Sequence, residues 1–249
     1  MSKDIQPLLD DWPCEPGQLC VRKIRGNDGR AKVQLRIEMG ILQMDVTGRP
    51  DGQRPEGYES LLHYYKAQAQ KRGPENFALN SENCMELQME ALQYYHRRIS
   101  FLEIGEYLNA KKDAERNLEL FDFVKEYADD EEDRMAFEHY RPFVIGHRVR
   151  AEVLMYLERE AYDMALSKID EGIDELRAFF REFDRHDLIE ESEEIAFLRE
   201  WADEIRRDRP KSLSQDLRDQ IREAVGLEDF ERAAELRDQL LSLKEKTEI

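Results

Sequence analysis

The first part of the chain alternates apolar and polar positions with the period of a β-strand. The alternation is clear over residues 33–37, and a shorter one covers residues 19–21. Between them lies Gly-Asn-Asp-Gly at residues 26–29, and these residue types tolerate the positive φ angles of a hairpin turn. Residues 17–48 are therefore predicted to form an antiparallel β-meander of two or three strands, and a loop follows over residues 48–57.

From residue 58 onward the apolar positions recur three and four residues apart, which is the period of an amphipathic helix. Ser81 is positioned to cap one long helix, and Pro142 is expected to bend another because it removes an amide donor. Residues 129–133 are predicted to be a solvated loop or helix end, and residues 209–212 a linker. The expected helices lie near residues 58–73, 81–102, 106–128, 135–158, 162–180 and 187–207.

A short pattern opens the second helix of three helix pairs. In each pair an aromatic residue is followed three positions later by alanine. An aromatic side chain at the start of a helix wedges the turn between the two helices, and alanine one turn later lets them approach closely. The pattern predicts three antiparallel helical hairpins, marked by Tyr107 with Ala110, Tyr162 with Ala165, and Phe230 with Ala233.

The first two hairpins resemble tetratricopeptide (TPR) repeats. Residues 105–110, Gly-Glu-Tyr-Leu-Asn-Ala, match the turn and second helix of that repeat, and residues 161–165 form a looser copy. Arg98 and Val153 stand where the repeat has a small residue, and the two copies are spaced more widely than the usual 34-residue period. The resemblance implies a helical scaffold that binds other proteins. A plain helical bundle without a binding groove remains the alternative.

Residues 213–246 predict a closing helical hairpin. Leu217, Ile221 and Ala224 or Val225 recur at helical spacing, Gly226 stands where the chain must turn, and Asp229 can cap the second helix. The second helix is expected to bury one apolar stripe, formed by Phe230, Ala233, Ala234, Leu236, Leu240 and Leu243.

The second helix of this hairpin resembles the UVR motif, which is the C-terminal hairpin of the excision-repair subunits UvrB and UvrC. A similar hairpin occurs in some Clp-type ATPases and in activators of protein-arginine kinases. The sequence lacks the P-loop of the repair subunits, so the motif does not imply a repair nuclease. The resemblance implies pairing with another such hairpin, with Phe230 as the central anchor. The residues in register are Phe230, Ala233, Ala234, Leu236, Arg237 and Asp238.

A two-helix hairpin cannot bury the apolar faces of both helices by itself. It therefore needs the rest of the chain, a second copy or a different protein. If the rest of the chain covers it, the hairpin merely caps the helical array. Otherwise a partner binds to it, and the residues predicted to bind that partner are Phe230, Ala233, Ala234, Leu236, Arg237, Leu240, Leu217 and Ile221.

Composition narrows the classes of function. The chain has 249 residues, 56 acidic and 38 Lys or Arg residues, and a net charge of −18, so phosphate backbones repel it and no direct nucleic-acid partner is expected. No run of apolar residues is long enough to predict a membrane span, and the N-terminus lacks the apolar region of a secretory signal. Three cysteines form no even disulfide framework, which favours the cytoplasm.

The titratable residues predict no catalytic site, metal site or cofactor. Cys14, Cys20 and Cys84 are expected to be isolated thiols, and His139 and His147 are too far apart to chelate an ion without a third element. Two basic segments, residues 96–98 and 147–150, either bind an acidic peptide tail or pair with the chain's own carboxylates.

The sequence thus predicts a mainly α fold: a β-meander and loop over residues 1–57, a TPR-like helical domain over 58–208 and a UVR-like hairpin over 211–249. The expected function is a non-enzymatic adaptor for protein partners, among them a UVR-containing protein or a second copy of the chain. One rival is an enzyme or regulator with a small-molecule pocket between meander and helices, built on Trp12, Tyr64, Tyr65 and the Arg-rich strands. The other is an accessory factor in nucleotide excision repair, reaching DNA through a partner.

Overall fold

The computed structural model describes residues 4–210 and 213–247. The chain divides into two compact units, Met1–Ala202 and Asp203–Ile249. The described helices of the first unit are, in chain order, α1 (Gln6–Asp10), α2 (Leu61–Arg72), α3 (Ser81–Glu103), α4 (Tyr107–Tyr127), α5 (Glu131–Glu138), α6 (Arg141–Leu157), α7 (Tyr162–Glu182) and α8 (Asp187–Glu191), followed by α9 (Glu193–Asp208), which continues into the second unit. Short 3-10 helices cover Pro55–Gly57 and Pro74–Asn76.

The predicted β-meander is confirmed as a three-stranded antiparallel sheet. Its strands are β1 (Val21–Arg25), β2 (Ala31–Ile37) and β3 (Gly40–Asp45), in that order across the sheet. The Gly29 amide donates to the Gly26 carbonyl over 2.9 Å and closes the first turn at the predicted place. Val33 and Leu35 of β2 are buried against Phe101 of α3 and Ala110 of α4, whereas Ile37, the third apolar position of the alternation, is 44% exposed.

Two helix boundaries differ from the prediction for reasons of hydrogen bonding. Asn80, not Ser81, is the N-cap of α3, because its side chain accepts from the Asn83 amide over 2.9 Å and Asn83 returns the bond in a capping box. Pro142 does not bend a continuous helix over 135–158. It lies in the first turn of α6, where a missing amide donor has no cost, and residues 139–140 form a turn between α5 and α6.

The predicted helix over 187–207 is also divided, at Ser192. Ser192 has an extended backbone, which ends α8, and its hydroxyl accepts from the Ile195 amide over 3.2 Å at the start of α9. An extended residue with a side-chain oxygen one turn before a buried apolar position is the usual way to begin a helix. The break therefore follows from a capping signal inside a continuous helical period.

The long helices pack in sequence, α3 against α4, α4 against α6, and α6 against α7. Helices α6 and α7 approach each other closely at Gly172, where an added Cβ would stand only 2.5 Å from a methyl carbon of Val149. Leu87, Leu120 and Val124 lie in the core that α2 to α6 share, and all three are fully buried.

Arg97 ties the sheet to the helices. Its side chain is 3% exposed and forms a bidentate pair with Asp113 of α4, through bonds of 2.8 Å from Nε and 2.7 Å from Nη2. Its Nη1 donates to the carbonyls of Asp45 and Gly48, at 2.8 Å each. One buried guanidinium therefore joins α3, α4 and the end of β3.

The second unit contains the predicted C-terminal hairpin. Helix α10 spans Leu213–Gly226, helix α11 spans Phe230–Thr247, and the two pack against each other. The mainly α fold, with its small N-terminal sheet and C-terminal hairpin, is therefore confirmed. The likeness of the helical body to TPR repeats stays a prediction.

Candidate interaction surface

The turn of the C-terminal hairpin is built by its backbone. Glu228 adopts a left-handed φ of 59°, and the Asp229 amide donates back to the Ala224 carbonyl over 2.9 Å. This bond caps the end of α10. The Asp229 carboxylate then accepts from the Arg232 amide over 3.1 Å, so Asp229 caps α11 as predicted.

The same turn joins α3 to α4 and α6 to α7. In each case a residue with positive φ is followed by an amide that donates five residues back, and the aromatic residue of the predicted pattern is the first residue of the next helix. The alanine three residues later is buried in all three hairpins. The sequence pattern therefore marked the starts of α4, α7 and α11, at Tyr107, Tyr162 and Phe230.

The inner face of the C-terminal hairpin holds five of the eight predicted partner-binding residues. Leu217, Ala233 and Leu236 are buried, with Ala224 beside them. Ile221 and Leu240 are half-buried, and Leu243 lies outside the described side chains. These residues hold α10 and α11 together, so they support an interaction surface rather than form one.

Phe230 and Ala234 are not part of the buried stripe, which corrects the prediction. Phe230 is 66% exposed and Ala234 is exposed as well. The spacing explains the difference, because positions 230 and 234 lie about 100° or more around the helix from Leu236, which faces α10. Arg237 and Leu241 lie on the same side as Phe230, at i+7 and i+11.

We call this side of α11 the outer stripe: Phe230, Ala234, Arg237 and Leu241. It runs about 16 Å along the helix, at 1.5 Å per residue. Leu227 in the turn is 74% exposed, and Val225 at the end of α10 is 48% exposed. Leu227 and Leu241 were missed as site residues, although the i, i+4, i+7, i+11 spacing of the stripe is visible in the sequence.

The corresponding aromatic residues of the other two hairpins are less exposed. Tyr107 and Tyr162 are both half-buried, whereas Phe230 has most of its ring surface in solvent. Arg237, the one charged residue of the stripe, pairs with its neighbour Asp238 at 3.5 Å. The C-terminal hairpin thus repeats the turn of the other two but leaves its aromatic residue uncovered.

The cysteines differ from the prediction. Cys14 and Cys20 form a disulfide rather than two isolated thiols, with Cα atoms 5.9 Å apart. An odd number of cysteines excludes a framework in which every cysteine is paired, but it does not exclude a single disulfide beside one free thiol. Cys84 is that buried free thiol, and burial raises its pKa to about 11, which makes it unreactive at neutral pH. The cytoplasmic location stays a prediction.

Two of the four arginines in the two basic segments form ion pairs with the chain's own carboxylates. Arg97 is bound to Asp113, and Arg148 is bound to Glu175. Arg98 is different: it is 1% exposed, and its Nε donates to Nδ1 of His147 over 3.2 Å.

The residues of the rival small-molecule pocket have other contacts. Trp12 lies under the guanidinium of Arg22 on β1, 4.0 Å from its carbon. The Tyr65 hydroxyl donates to Glu86 of α3 over 2.8 Å, and Tyr64 packs on Tyr65 with ring centres 5.1 Å apart. The two tyrosines therefore belong to the α2–α3 interface.

Within residues 4–210 and 213–247, no three His, Cys, Asp or Glu side chains are grouped so that they could hold a metal ion. In the same part of the chain, no helix has both the length and the apolar character that a membrane crossing requires.

Comparison with known proteins identifies one family. The model of the UVR family, described as the UvrB/uvrC motif, matches residues 211–246. No curated protein and no solved structure gives a significant match to the chain. The match covers α10, the turn and nearly all of α11, which are the elements that carry the outer stripe. The C-terminal hairpin is therefore a UVR motif.

Proposed function

We propose that this chain is a non-enzymatic adaptor whose outer stripe binds a second UVR hairpin, either in another copy of the chain or in a different protein. The observation that supports the proposal is the 66% exposure of Phe230 at the start of α11. Exposed apolar side chains grouped on one face are typical of surfaces that bind another protein. A second UVR hairpin is the favoured partner because the UVR motif implies pairing between such hairpins and a second copy of the chain carries the same outer stripe.

The buried area sets the strength of this pairing. Complete burial of a Phe side chain contributes up to about 3 kcal/mol, so covering the exposed two-thirds of Phe230 contributes about 2 kcal/mol. Leu227 and Leu241 add about 1 kcal/mol each by the same reasoning. Association costs of several kcal/mol offset much of this gain, and we therefore expect a weak pairing that other contacts can regulate.

The helical body is proposed to supply a second protein-binding surface, as TPR-like scaffolds do. Its support is the shared turn of the α3–α4 and α6–α7 hairpins and the sequential packing of those helices. An adaptor needs two surfaces, and here they lie in different compact units of the chain.

Affinity capture tests the proposal with a matched pair of variants. The full chain, tagged at its N-terminus, is the bait in a lysate of the cells that make it. Phe230→Asp replaces the anchor. Phe197→Asp is the control, because Phe197 on α9 is also a half-exposed phenylalanine, at 49%.

The natural chain and Phe197→Asp should both capture a protein that carries a UVR hairpin, or an untagged second copy. Phe230→Asp should capture at least about 30-fold less, since about 2 kcal/mol corresponds to that factor. Equal capture by all three baits would show that the hairpin acts only as a structural cap. Circular dichroism should give the same helix content for each bait.

The identity of the captured protein separates the adaptor from its rival. The UVR match favours an accessory role in nucleotide excision repair as the second candidate. Recovery of excision-repair subunits by the natural chain, but not by Phe230→Asp, would support the accessory role. Recovery of only second copies or of other UVR-containing proteins would support the more general adaptor.

Removal of residues 211–249 provides a structural control. The first compact unit ends at Ala202, so the shortened chain should stay soluble and keep its helices. It should also lose the UVR-bearing partner. Wholesale loss of helix content by circular dichroism would show that the hairpin belongs to the main core.

A further inference from the structure

A cavity of about 500 Å³ opens between α3, α4, α5 and α6 of the first unit. Its mouth is formed by partly exposed side chains, Met89, Leu92, Tyr140 and Phe143. Its inner wall is largely apolar and includes the buried side chains of Phe121, Phe137 and Val144. The volume lies in the range of small-molecule sites, which are mostly apolar with a few polar groups that fix orientation.

Arg98 is the charged residue in the wall of this cavity. It is 1% exposed, and its Nη1 is buried without a hydrogen-bond partner among residues 4–210 and 213–247. Asp113 attracts Arg98 through space, but its carboxylate is already bound to Arg97. Within that part of the chain, no carboxylate forms a hydrogen bond or an ion pair with the Arg98 guanidinium. The next residue, Arg97, is equally buried but has two bonds to Asp113. Arg98 is thus a buried cation whose matching anion is missing.

The groups around Arg98 do not neutralise it. His147 accepts from its Nε, and burial lowers the pKa of His147 to about 3, so the imidazole is neutral at pH 7. The rings of Tyr95 and Phe143 stand 5.5 Å and 5.9 Å from the guanidinium carbon. Burial lowers the pKa of Arg98 to about 10, which leaves it charged at pH 7. A buried cation of this kind is costly unless an anion pairs with it.

We propose that this cavity binds a small carboxylic acid with an aromatic or aliphatic body, whose carboxylate pairs with Arg98. The planar guanidinium matches a carboxylate, and one arginine with one unused Nη1 provides too few donors for a phosphate dianion. The apolar body would lie between Phe121 and Phe143, with Leu92 at the mouth. The site lies in the first unit, so it is independent of the proposal for the hairpin.

A carboxylate on an apolar body can come from two sources, a free acid or the C-terminus of a peptide that ends in an apolar residue. Isothermal titration of the full chain separates them. The free acids are 4-phenylbutyrate and octanoate, each with its neutral amide as control, and the peptide is an acetylated tetrapeptide ending in phenylalanine. At least one of these carboxylates should bind saturably, and its amide should bind at least tenfold more weakly.

Two variants locate the binding. Arg98→Met removes the cation and should weaken binding of the acid by tenfold to a hundredfold while leaving the weak binding of the amide unchanged. Its thermal stability should equal or exceed that of the natural chain, because an unpaired buried charge is gone. Leu92→Trp fills the mouth at a 43% exposed position and should abolish binding of both acid and amide.

Three results would overturn the proposal. The first is the lack of saturable binding of any of the three carboxylates at millimolar concentration. The second is equal affinity for an acid and its amide. The third is acid binding that Leu92→Trp leaves unchanged, and this result is decisive even if Arg98→Met fails to fold.

Discussion

Replacement of Arg97 by methionine should strongly destabilise the first unit. Arg97 is 3% exposed and Asp113 is 4% exposed, so the substitution leaves a carboxylate buried without its partner. Loss of one member of a buried ion pair costs about 3–5 kcal/mol. For a unit of this size, that cost corresponds to a fall in Tm of about 6–20 °C.

The double variant Arg97→Met, Asp113→Leu separates the lost attraction from the stranded charge. It removes both charges and leaves only the carbonyls of Asp45 and Gly48 without their donor. Each lost backbone bond costs about 1 kcal/mol, so the double variant should unfold within about 2 kcal/mol of the natural chain. It should therefore be more stable than the single variant.

Urea unfolding followed by circular dichroism measures both free energies, and hydrogen exchange of β1 to β3 reports whether the sheet loosens. We expect faster exchange in both variants, because both lose the bonds from Arg97 to the end of β3. Two results would refute this reasoning. The first is a free energy of unfolding of Arg97→Met within about 1 kcal/mol of the natural chain, which is the contribution of a single ordinary hydrogen bond. The second is a double variant that is no more stable than the single one.

Three further predictions concern stability. The pKa of His147 lies below its ordinary value of 6.5, chiefly because of burial, so the stability of the chain should fall as the pH drops below 6.5. At pH 5 the natural chain should lose about 2 kcal/mol of its free energy of unfolding, whereas His147→Gln should keep it. Equal losses for the two proteins in urea unfolding would contradict this prediction. Gly172→Ala should destabilise the chain by about 1–3 kcal/mol although alanine has the better helix propensity, because the new Cβ meets Val149. Adding Val149→Ala should relieve this clash. A thermal melt in which Gly172→Ala is as stable as the natural chain would exclude the clash. Glu160→Gly should raise stability by about 1 kcal/mol, since Glu160 holds a φ of 54°, and a lower Tm would oppose this account.

The periodic features of the fold were predictable because they depend on neighbours in the sequence. The alternation in β2 and the Gly-Asn-Asp-Gly turn predicted the meander, and the aromatic–alanine pattern predicted the first residues of α4, α7 and α11. The breaks at Ser192 and Pro142 were harder to place, since the apolar period continues across both. Hydrogen bonding sets these two boundaries, through a capping side chain at Ser192 and a missing amide at Pro142. The pattern of apolar residues does not change at either one.

The orientation of Phe230 could not be predicted from the period of α11. Apolar residues at positions 230, 233, 234, 236, 240 and 241 span about 160° of the helix circumference, which is wider than the stripe that one neighbouring helix covers. Only the position of α10 decides which of them are buried. The pattern predicted an apolar helix, and the structure separates the inner face around Leu236 from the outer stripe.

The partners of Cys14 and Arg98 depend on the three-dimensional arrangement in a similar way. The Gln18 amide donates to the Glu15 carbonyl over 3.1 Å, and this turn brings Cys14 close to Cys20. Arg97 and Arg98 are adjacent in a basic segment, yet only Arg97 donates hydrogen bonds to Asp113. Sequence reasoning identified the segment but not which arginine lacks an anion.

A photo-crosslinker at position 230 tests the central claim most directly. Benzoylphenylalanine replaces Phe230 in the full chain inside cells, and the same residue at Phe197 is the control. We predict a covalent adduct from position 230 to the helical hairpin of a UVR motif, in a second copy or in another protein, and no such adduct from position 197. An adduct confined to the chain's own first unit, or no adduct above the control, would contradict the claim that Phe230 anchors a partner.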